Sequence, residues 1–276
     1  MNTPSSHTAP ALQGKTAIVT GSTQGLGADI VRVLASQGAN VVILGRNTAN
    51  GNALVAEIHA TGAAGALYCE TDIQQDDQID ACIAATLERF GRLDILVNNA
   101  CSYDDNGVDS SREQWHRTLG VNLVSAAIFA QKALAHMEGG AVIVNMGSTG
   151  GKFGAAGRAL YPASKAAMLQ FTKNLAVSVA PRGIRVLAVS PAWTWSPSVE
   201  QLSHSSRRDA DQVGAQFHPL GRVGDGKEIG NVVAFAASEA ASWMTGVDIP
   251  VDGGFSVLGP DQGISPRVWF QRALDK

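Results

Sequence analysis

Charge is scarce in this 276-residue chain: Asp, Glu, Lys and Arg make up 16% of it, and the formal net charge is −3. Its Lys and Arg residues gather in no long run, which argues against a surface built for nucleic acid or an acidic membrane. Cysteine is scarcer still. Cys69, Cys82 and Cys101 are odd in number and form no C-x-x-C pair, which argues against a disulfide framework or a structural zinc site. The six histidines include no H-E-x-x-H pair. Long apolar runs are missing too, none approaching the roughly 20 residues that span a bilayer. Residues 1–13 are polar and rich in Ser, Thr and Pro, without the basic start and apolar stretch of a signal peptide, and read as a flexible arm. These absences predict a cytoplasmic protein with a small-molecule partner, with neither nucleic acid nor membrane.

What is present is apolar material, 45% of the chain, enough for a sizeable core. Short β-branched runs alternate with Ala-rich stretches of helical length. Strands read at 15–20, 40–44, 66–70, 93–98, 141–145, 184–190 and 247–251, and helices near 26–37, 48–60, 76–90, 115–137 and 160–180. Runs such as AIVT, VVIL and DILV are apolar at nearly every position, so helices must cover both faces of their sheet. Strand–helix alternation with Gly at the turns predicts an α/β fold, a single-domain doubly wound (Rossmann) parallel sheet of about seven strands. The domain is expected over 14–255, with a tail over 256–276. One polar stretch, 193–226, breaks the rhythm just after a strand end, where open α/β sheets bind ligands. An excursion of that length reads as a substrate lid.

The first strand runs into Thr20-Gly21-Ser22-Thr23-Gln24-Gly25-Leu26-Gly27, which opens a helix. Glycines let such a turn approach a pyrophosphate closely, and the helix N-terminus offers it free N–H groups and a positive dipole end. At the second strand's end, Leu44-Gly45-Arg46-Asn47 holds no acidic residue to bind ribose hydroxyls. Arg46 there suits a 2′-phosphate, so NADP(H) is expected over NAD(H). Asp72, just past the third strand, is either an adenine contact or an ordinary helix-capping carboxylate.

Tyr161-Pro162-Ala163-Ser164-Lys165 sets a phenol and an ammonium on adjacent turns of one helix face. A free Tyr has a pKa of about 10, and a nearby cation favours its phenolate. Asn145-Met146-Gly147-Ser148 ends a strand, so the Ser148 hydroxyl can project at the sheet edge and polarise a substrate oxygen beside Tyr161.

Together these motifs resemble the short-chain dehydrogenase/reductase family, over about 12–255. Residues 20–27 fit its T-G-x-x-x-G-x-G turn, Asn98-Asn99-Ala100 its N-N-A-G segment except at the last position, and Asn122 its helix Asn. Ser148, Tyr161 and Lys165 follow in the family's order, then Pro191-Ala192 with Ser196, Thr245-Gly246 and Val251-Asp252-Gly253-Gly254. The resemblance implies an NAD(P)-dependent oxidoreductase that interconverts a secondary alcohol, or a sugar hydroxyl, and a carbonyl. Tyr161 would be its acid–base, Ser148 would hold the substrate oxygen, Lys165 would bind the nicotinamide ribose, and Asn122 would hold a relay water. Cofactor contacts would come from Gly21, Ser22, Gln24, Gly25, Leu26, Gly27, Asp72, Ile73, Asn98, Ala100 and Pro191, with Thr194 and Ser196 at the carboxamide. A homo-dimer or homo-tetramer is also implied, through the long helices.

The chain departs from the family at Cys101, which replaces Gly, at Ala192, also in place of Gly, and at the missing Pro before Lys227. Trp193, Trp195 and Tyr103 are candidate pocket walls, whereas Asp104-Asp105-Asn106-Gly107 reads as a turn. Trp269 and Phe270 in the tail would cover the chain's own pocket or reach a neighbour. Two rival functions stand beside the leading one: a non-catalytic NADP(H) sensor, and an epimerase or dehydratase of the extended family. The glycine spacing and the short chain after the last strand argue against the second.

Overall fold

The computed structural model describes residues 10–62 and 65–274. Seven strands form one parallel sheet: β1 (Thr16–Val19), β2 (Asn40–Gly45), β3 (Ala66–Glu70), β4 (Ile95–Asn98), β5 (Val142–Met146), β6 (Arg185–Pro191) and β7 (Asp248–Val251). Their spatial order is β3-β2-β1-β4-β5-β6-β7. Each expected strand is present, and the all-parallel sheet is the doubly wound one expected.

Alternation along each strand sends neighbouring side chains to opposite faces. In β1, Ala17 and Val19 join a core layer with Ile30 and Leu34 of α1 (Gly25–Ser36) and Val233 of α9 (Gly226–Ala237). Ile18, between them, joins the other layer, with Ile79 of α3 (Asp76–Phe90), Phe129 of α5 (Ser125–Leu134) and Val179 of α6 (Leu160–Val179). Fully burying one such side chain stabilises by about 1.5–3 kcal/mol. The remaining flanking helix of the first half, α2 (Thr48–Thr61), adds Leu54 and Ile58 to the first layer.

β1 pairs with β2 on one side and β4 on the other. The chain therefore reverses its winding between β1 and β4, and a crevice opens beyond their carboxyl ends. The glycine turn leaves β1 at this crevice.

Three expectations need correction. The helix expected over 115–137 starts earlier, as α4 (Arg112–Leu119), capped where Ser111 Oγ accepts from Gln114 N at 3.2 Å and Gln114 Oε1 from Ser111 N at 2.9 Å. It then passes through a π-helical turn (Gly120–Val124) into α5. The arm expected over 1–13 loses its last residues to the fold: Leu12 is 1% exposed, and its N–H donates to Gln37 O at 2.9 Å. Residues 1–9 lie outside the described residues. Stretch 193–226 is no plain loop, since it folds into α7 (Pro197–Leu202) and α8 (Arg207–Gly214). In the tail, α10 (Pro266–Leu274) leaves Trp269 43% and Phe270 67% exposed.

Candidate active site

Glycine is required in the first turn by both conformation and space. Gly21 has φ +62°, and a Cβ there would stand 2.8 Å from Ala100 Cα. At Gly27 a Cβ would meet the Gly21 carbonyl oxygen at 2.5 Å. The turn is clamped from β4's end, where Asn99 Nδ2 donates to Thr20 O at 2.8 Å and Ala100 N to Thr20 Oγ1 at 3.0 Å. Ser22 is fully buried, and its hydroxyl is spent inside the turn, donating to Val19 O and accepting from Leu44 N. Its side chain therefore shapes the cradle and is not free to contact a ligand. Gln24, the extended N-cap of α1, makes no capping bond through its side chain, and the first turn carries no acidic residue. The helix's leading N–H groups and positive dipole end thus meet no competing anion from their own first turn. A backbone cradle that a Cβ would fill, opening onto such a helix end, fits the pyrophosphate of a dinucleotide.

Around the cradle, Arg46 is exposed and has no ion-pair partner among the described residues. Asp72 Oδ1 accepts from Gln74 N at 3.0 Å, which closes the turn into α3 and leaves its second oxygen available. Ile73, Asn98 and Ala100 border a small space with Thr20, Asn122 and Lys165. Asn98 is buried and bonds across the sheet to Asn145 Oδ1 at 2.9 Å, while its own Oδ1 has no partner.

Ser148, Tyr161 and Lys165 converge at the carboxyl end of β5. A Cβ on Gly150 would lie 3.3 Å from both Ser148 Oγ and Tyr161 Cε1, so one residue's width separates the hydroxyl from the phenol ring. Ser148 Oγ accepts from Gly150 N at 3.0 Å and keeps its proton to donate. Lys165 is 4% exposed, with Nζ 2.7 Å from Met146 O and 5.7 Å from the Tyr161 ring centroid. One backbone bond therefore aims a buried ammonium beside the phenol.

The frame behind them includes residues whose structural partners are not legible in the sequence. α6 has no capping side chain of its own. Asp105 supplies the cap from across space, accepting from Ala159 N at 2.9 Å and Tyr161 N at 2.9 Å, and from Gly107 N on its own loop. Burial raises the Asp105 pKa, but these backbone N–H groups outweigh it and hold the carboxyl below its ordinary range. Asn122, expected to hold a relay water, has its side chain occupied: Oδ1 accepts from Ser102 N at 2.6 Å, and Nδ2 donates to Ser102 O and Ser164 Oγ, both at 3.0 Å. It pins the loop after β4 to α6 from within the π-helical turn, an irregularity common near functional sites. Burial pushes the Cys101 thiol upward in pKa, more than Lys165 and Arg158 nearby lower it, which keeps it the protonated, unreactive form.

In front of the group lies a cavity of about 750 Å³. Its walls include Leu26 and Asn99 near the glycine turn, Tyr103, Phe153, Trp193 and Phe255, and Val199, Leu202 and Val213 of the excursion. Tyr103 stacks on Tyr161 with ring centroids 5.1 Å apart. The excursion is closed at its base by reciprocal bonds, Gly224 N to Trp193 O at 2.9 Å and Trp195 N to Gly224 O at 2.8 Å. Between α7 and α8, His204 and Ser205 both hold positive φ, 51° and 63°, a conformation that costs an L-residue about 1–2 kcal/mol. Trp195 faces Arg207 instead of the cavity, and Arg207 is held by Asp211 and Asp225. Thr194 Oγ1 donates to Ala192 O, and Ser196 Oγ caps α7, accepting from Val199 N. Pro191, Thr194 and Ser196 all border the cavity, and each hydroxyl retains a lone pair or proton for a ligand amide. Trp269 and Phe270 do not line it.

A dinucleotide cradle opening onto a Ser, Tyr and buried Lys defines a class: oxidoreductases that use a nicotinamide cofactor on an alcohol or carbonyl. The family profile described as "Enoyl-(Acyl carrier protein) reductase" matches residues 21–256. Trans-4-hydroxycyclohexanecarboxylate dehydrogenase of Sinomonas cyclohexanicum is 34% identical over 87% of this chain and 92% of its own length. L-fucose dehydrogenase of Mus musculus is 34% identical over 87% of this chain and 88% of its own. Among solved structures, a short-chain dehydrogenase from Burkholderia cenocepacia in complex with NADP superposes with TM-score 0.82 at 32% identity, covering 89% of this chain and 99% of that one. The chain belongs to the short-chain dehydrogenase/reductase family and is an NAD(P)-dependent oxidoreductase of CH–OH groups. The sensor and epimerase or dehydratase readings find no favour among these relatives.

Proposed function

We propose that the protein is an NADP(H)-preferring dehydrogenase/reductase that exchanges a proton with the substrate oxygen through Tyr161. The observation that carries this reading is the convergence of Ser148, Tyr161 and a buried Lys165 on one cavity, beside the glycine cradle. A bound nicotinamide supplies the hydride donor or acceptor. Everything else falls to the chain's own side chains. Ser148 donates a hydrogen bond to the substrate oxygen and orients it toward the phenol. Tyr161 takes the alcohol's proton during oxidation and returns it during reduction. Lys165, its ammonium held beside the phenol by Met146 O, would hold the nicotinamide ribose. Thr194 and Ser196 accept or donate at the carboxamide, and Asp72 and Ile73 lie at the adenine end. The excursion 193–226 serves as the lid.

Arg46 supports the 2′-phosphate preference, because its guanidinium is exposed and unpaired among the described residues at the end of β2, where an acidic residue would otherwise select NAD(H). The NADP complex of the Burkholderia relative agrees with that choice. Self-assembly into a dimer or tetramer fits the apolar residues left exposed beside the long helices, Val124 at 53% and Val177 at 77%. No helix among the described residues is long and apolar enough to cross a membrane, and a cytoplasmic location is part of the proposal.

Titration of the purified protein with NADPH and NADH, followed by nicotinamide fluorescence, tests the reading. NADPH is expected to bind more tightly, and Arg46→Ala to weaken it about tenfold while leaving NADH unchanged. Equal binding of both in the wild type would remove Arg46 from the account, and binding of neither to folded protein would remove the function.

A further inference from the structure

The relatives' names span substrates of opposite character, a ring carboxylate and a neutral sugar, and one side chain at the cavity bears on that choice. Arg158 borders the cavity three residues before Tyr161, and its guanidinium carbon lies 4.8 Å from the Tyr161 ring centroid. Among the described residues it makes no hydrogen bond and no ion pair. The arginines that do pair, such as Arg32, Arg207 and Arg222, use carboxylates away from the cavity lining.

The nearby carboxylate cannot serve Arg158. Both oxygens of Asp105 are filled by backbone N–H groups of Gly107, Ala159 and Tyr161. Asp209, the carboxylate on the cavity lining, stands on α8 and forms no ion pair with it. The other lining cation, the Lys165 ammonium, gives one of its three donors to Met146 O. A guanidinium with five donors therefore faces the cavity beside the reacting phenol, its backbone neighbour Ala159 pinned by Asp105. The same cavity is lined by Phe153, Trp193, Leu202 and Phe255, which offer apolar surface to the body of a substrate, alongside polar side chains such as Asn99, Ser148 and Thr194.

We infer that Arg158 anchors a carboxylate on the substrate, and that the substrate is a hydroxy or keto acid whose acid group and reacting carbon are joined by an apolar ring or chain. This inference rests on the proposed role of Tyr161, because the anchor is useful only if the reacting carbon sits at that phenol. A single planar fork suits a carboxylate bidentately. The lone guanidinium is one donor set, where a phosphate would call for several. Arg158 is thus a specificity-determining residue, and the aromatic walls take the body of the acid.

The test uses ligands that need no turnover. Nicotinamide-loaded protein is titrated with cyclohexanecarboxylate and with its neutral amide, cyclohexanecarboxamide, by calorimetry. The carboxylate is expected to bind about tenfold more tightly than the amide in the wild type. Arg158→Gln, at an exposed position where folding is checked by melting, should abolish that preference, and Arg158→Lys should keep part of it. Equal affinities in the wild type, a preference that survives Arg158→Gln, or binding of neither ring would each overturn the anchor. Turnover of neutral ring alcohols, and its loss in Tyr161→Phe, reads the proposed function separately, so indifference to the carboxylate with Tyr161-dependent turnover intact sinks the anchor alone.

Discussion

The two walls of the cavity are built on opposite principles. On the sheet side, the polar side chains are tied to backbone: Lys165 to Met146 O, Ser148 to Gly150 N, Asn122 to the Ser102 backbone, Asp105 to the start of α6. On the excursion side, two short helices are joined through a pair of left-handed residues, and Leu202 and Val213 stand 80% and 48% exposed. Proton transfer tolerates little error in distance, and the groups proposed for it sit on a hydrogen-bonded frame. Recognition of an apolar body needs area, which an adjustable wall supplies. On the proposed function, the difference separates where the reaction is done from where the substrate is chosen.

Breaking the frame should have the larger effect. Asp105→Asn removes the anionic cap of α6, at a cost of about 1 kcal/mol, and the melting temperature should fall by roughly 2–4 °C. Because Tyr161 N is one of the capped donors, kcat should fall about tenfold with KM little changed, a split that simple destabilisation would not produce. The pH dependence follows from the sign of the shift. The folded Asp105 pKa lies below its ordinary value, so its contribution is fully present above the unfolded value of about 3.9 and is lost as pH falls through the folded one. Melting curves of wild type and Asp105→Asn should differ at pH 7 and converge under strong acid. A gap that persists under strong acid would mean that the capping charge is not its source.

Touching the excursion should do less. Leu202→Ser alters one exposed apolar wall residue and should leave stability within about 0.5 kcal/mol. Steady-state kinetics should register a rise in KM of about two- to fivefold with kcat unchanged. A loss in kcat as large as that of Asp105→Asn would erase the distinction between the two walls.

The sheet side was also the more legible in sequence. Continuous apolar runs such as VVIL predicted buried parallel strands, and β2 is such a strand. The glycine turn and the Tyr161–Lys165 spacing are local patterns, read from a few neighbouring residues. What escaped were the through-space commitments. Ser22 and Asn122 carry polar groups that a motif marks as available, yet their partners are Leu44 and Ser102. Asp105 looks like a turn residue because the helix it caps begins 55 positions later, at Leu160. The early start of α4 did have a signal, the Ser111-x-x-Gln114 pair that forms a capping box. The π-helical turn after it had none. On the excursion, an apolar–polar count could not separate Trp193, which lines the cavity, from Trp195, which packs with Arg207.

The most direct test of the account is the turnover of Tyr161→Phe beside its affinity for the nicotinamide cofactor. Loss of the one ionisable oxygen should lower kcat by about 10²- to 10⁴-fold, while the cofactor binds within about twofold of wild type. Turnover within tenfold of wild type in the folded variant would contradict the assignment of Tyr161 as the acid–base, and with it the frame that Lys165, Ser148 and Asp105 are held to serve.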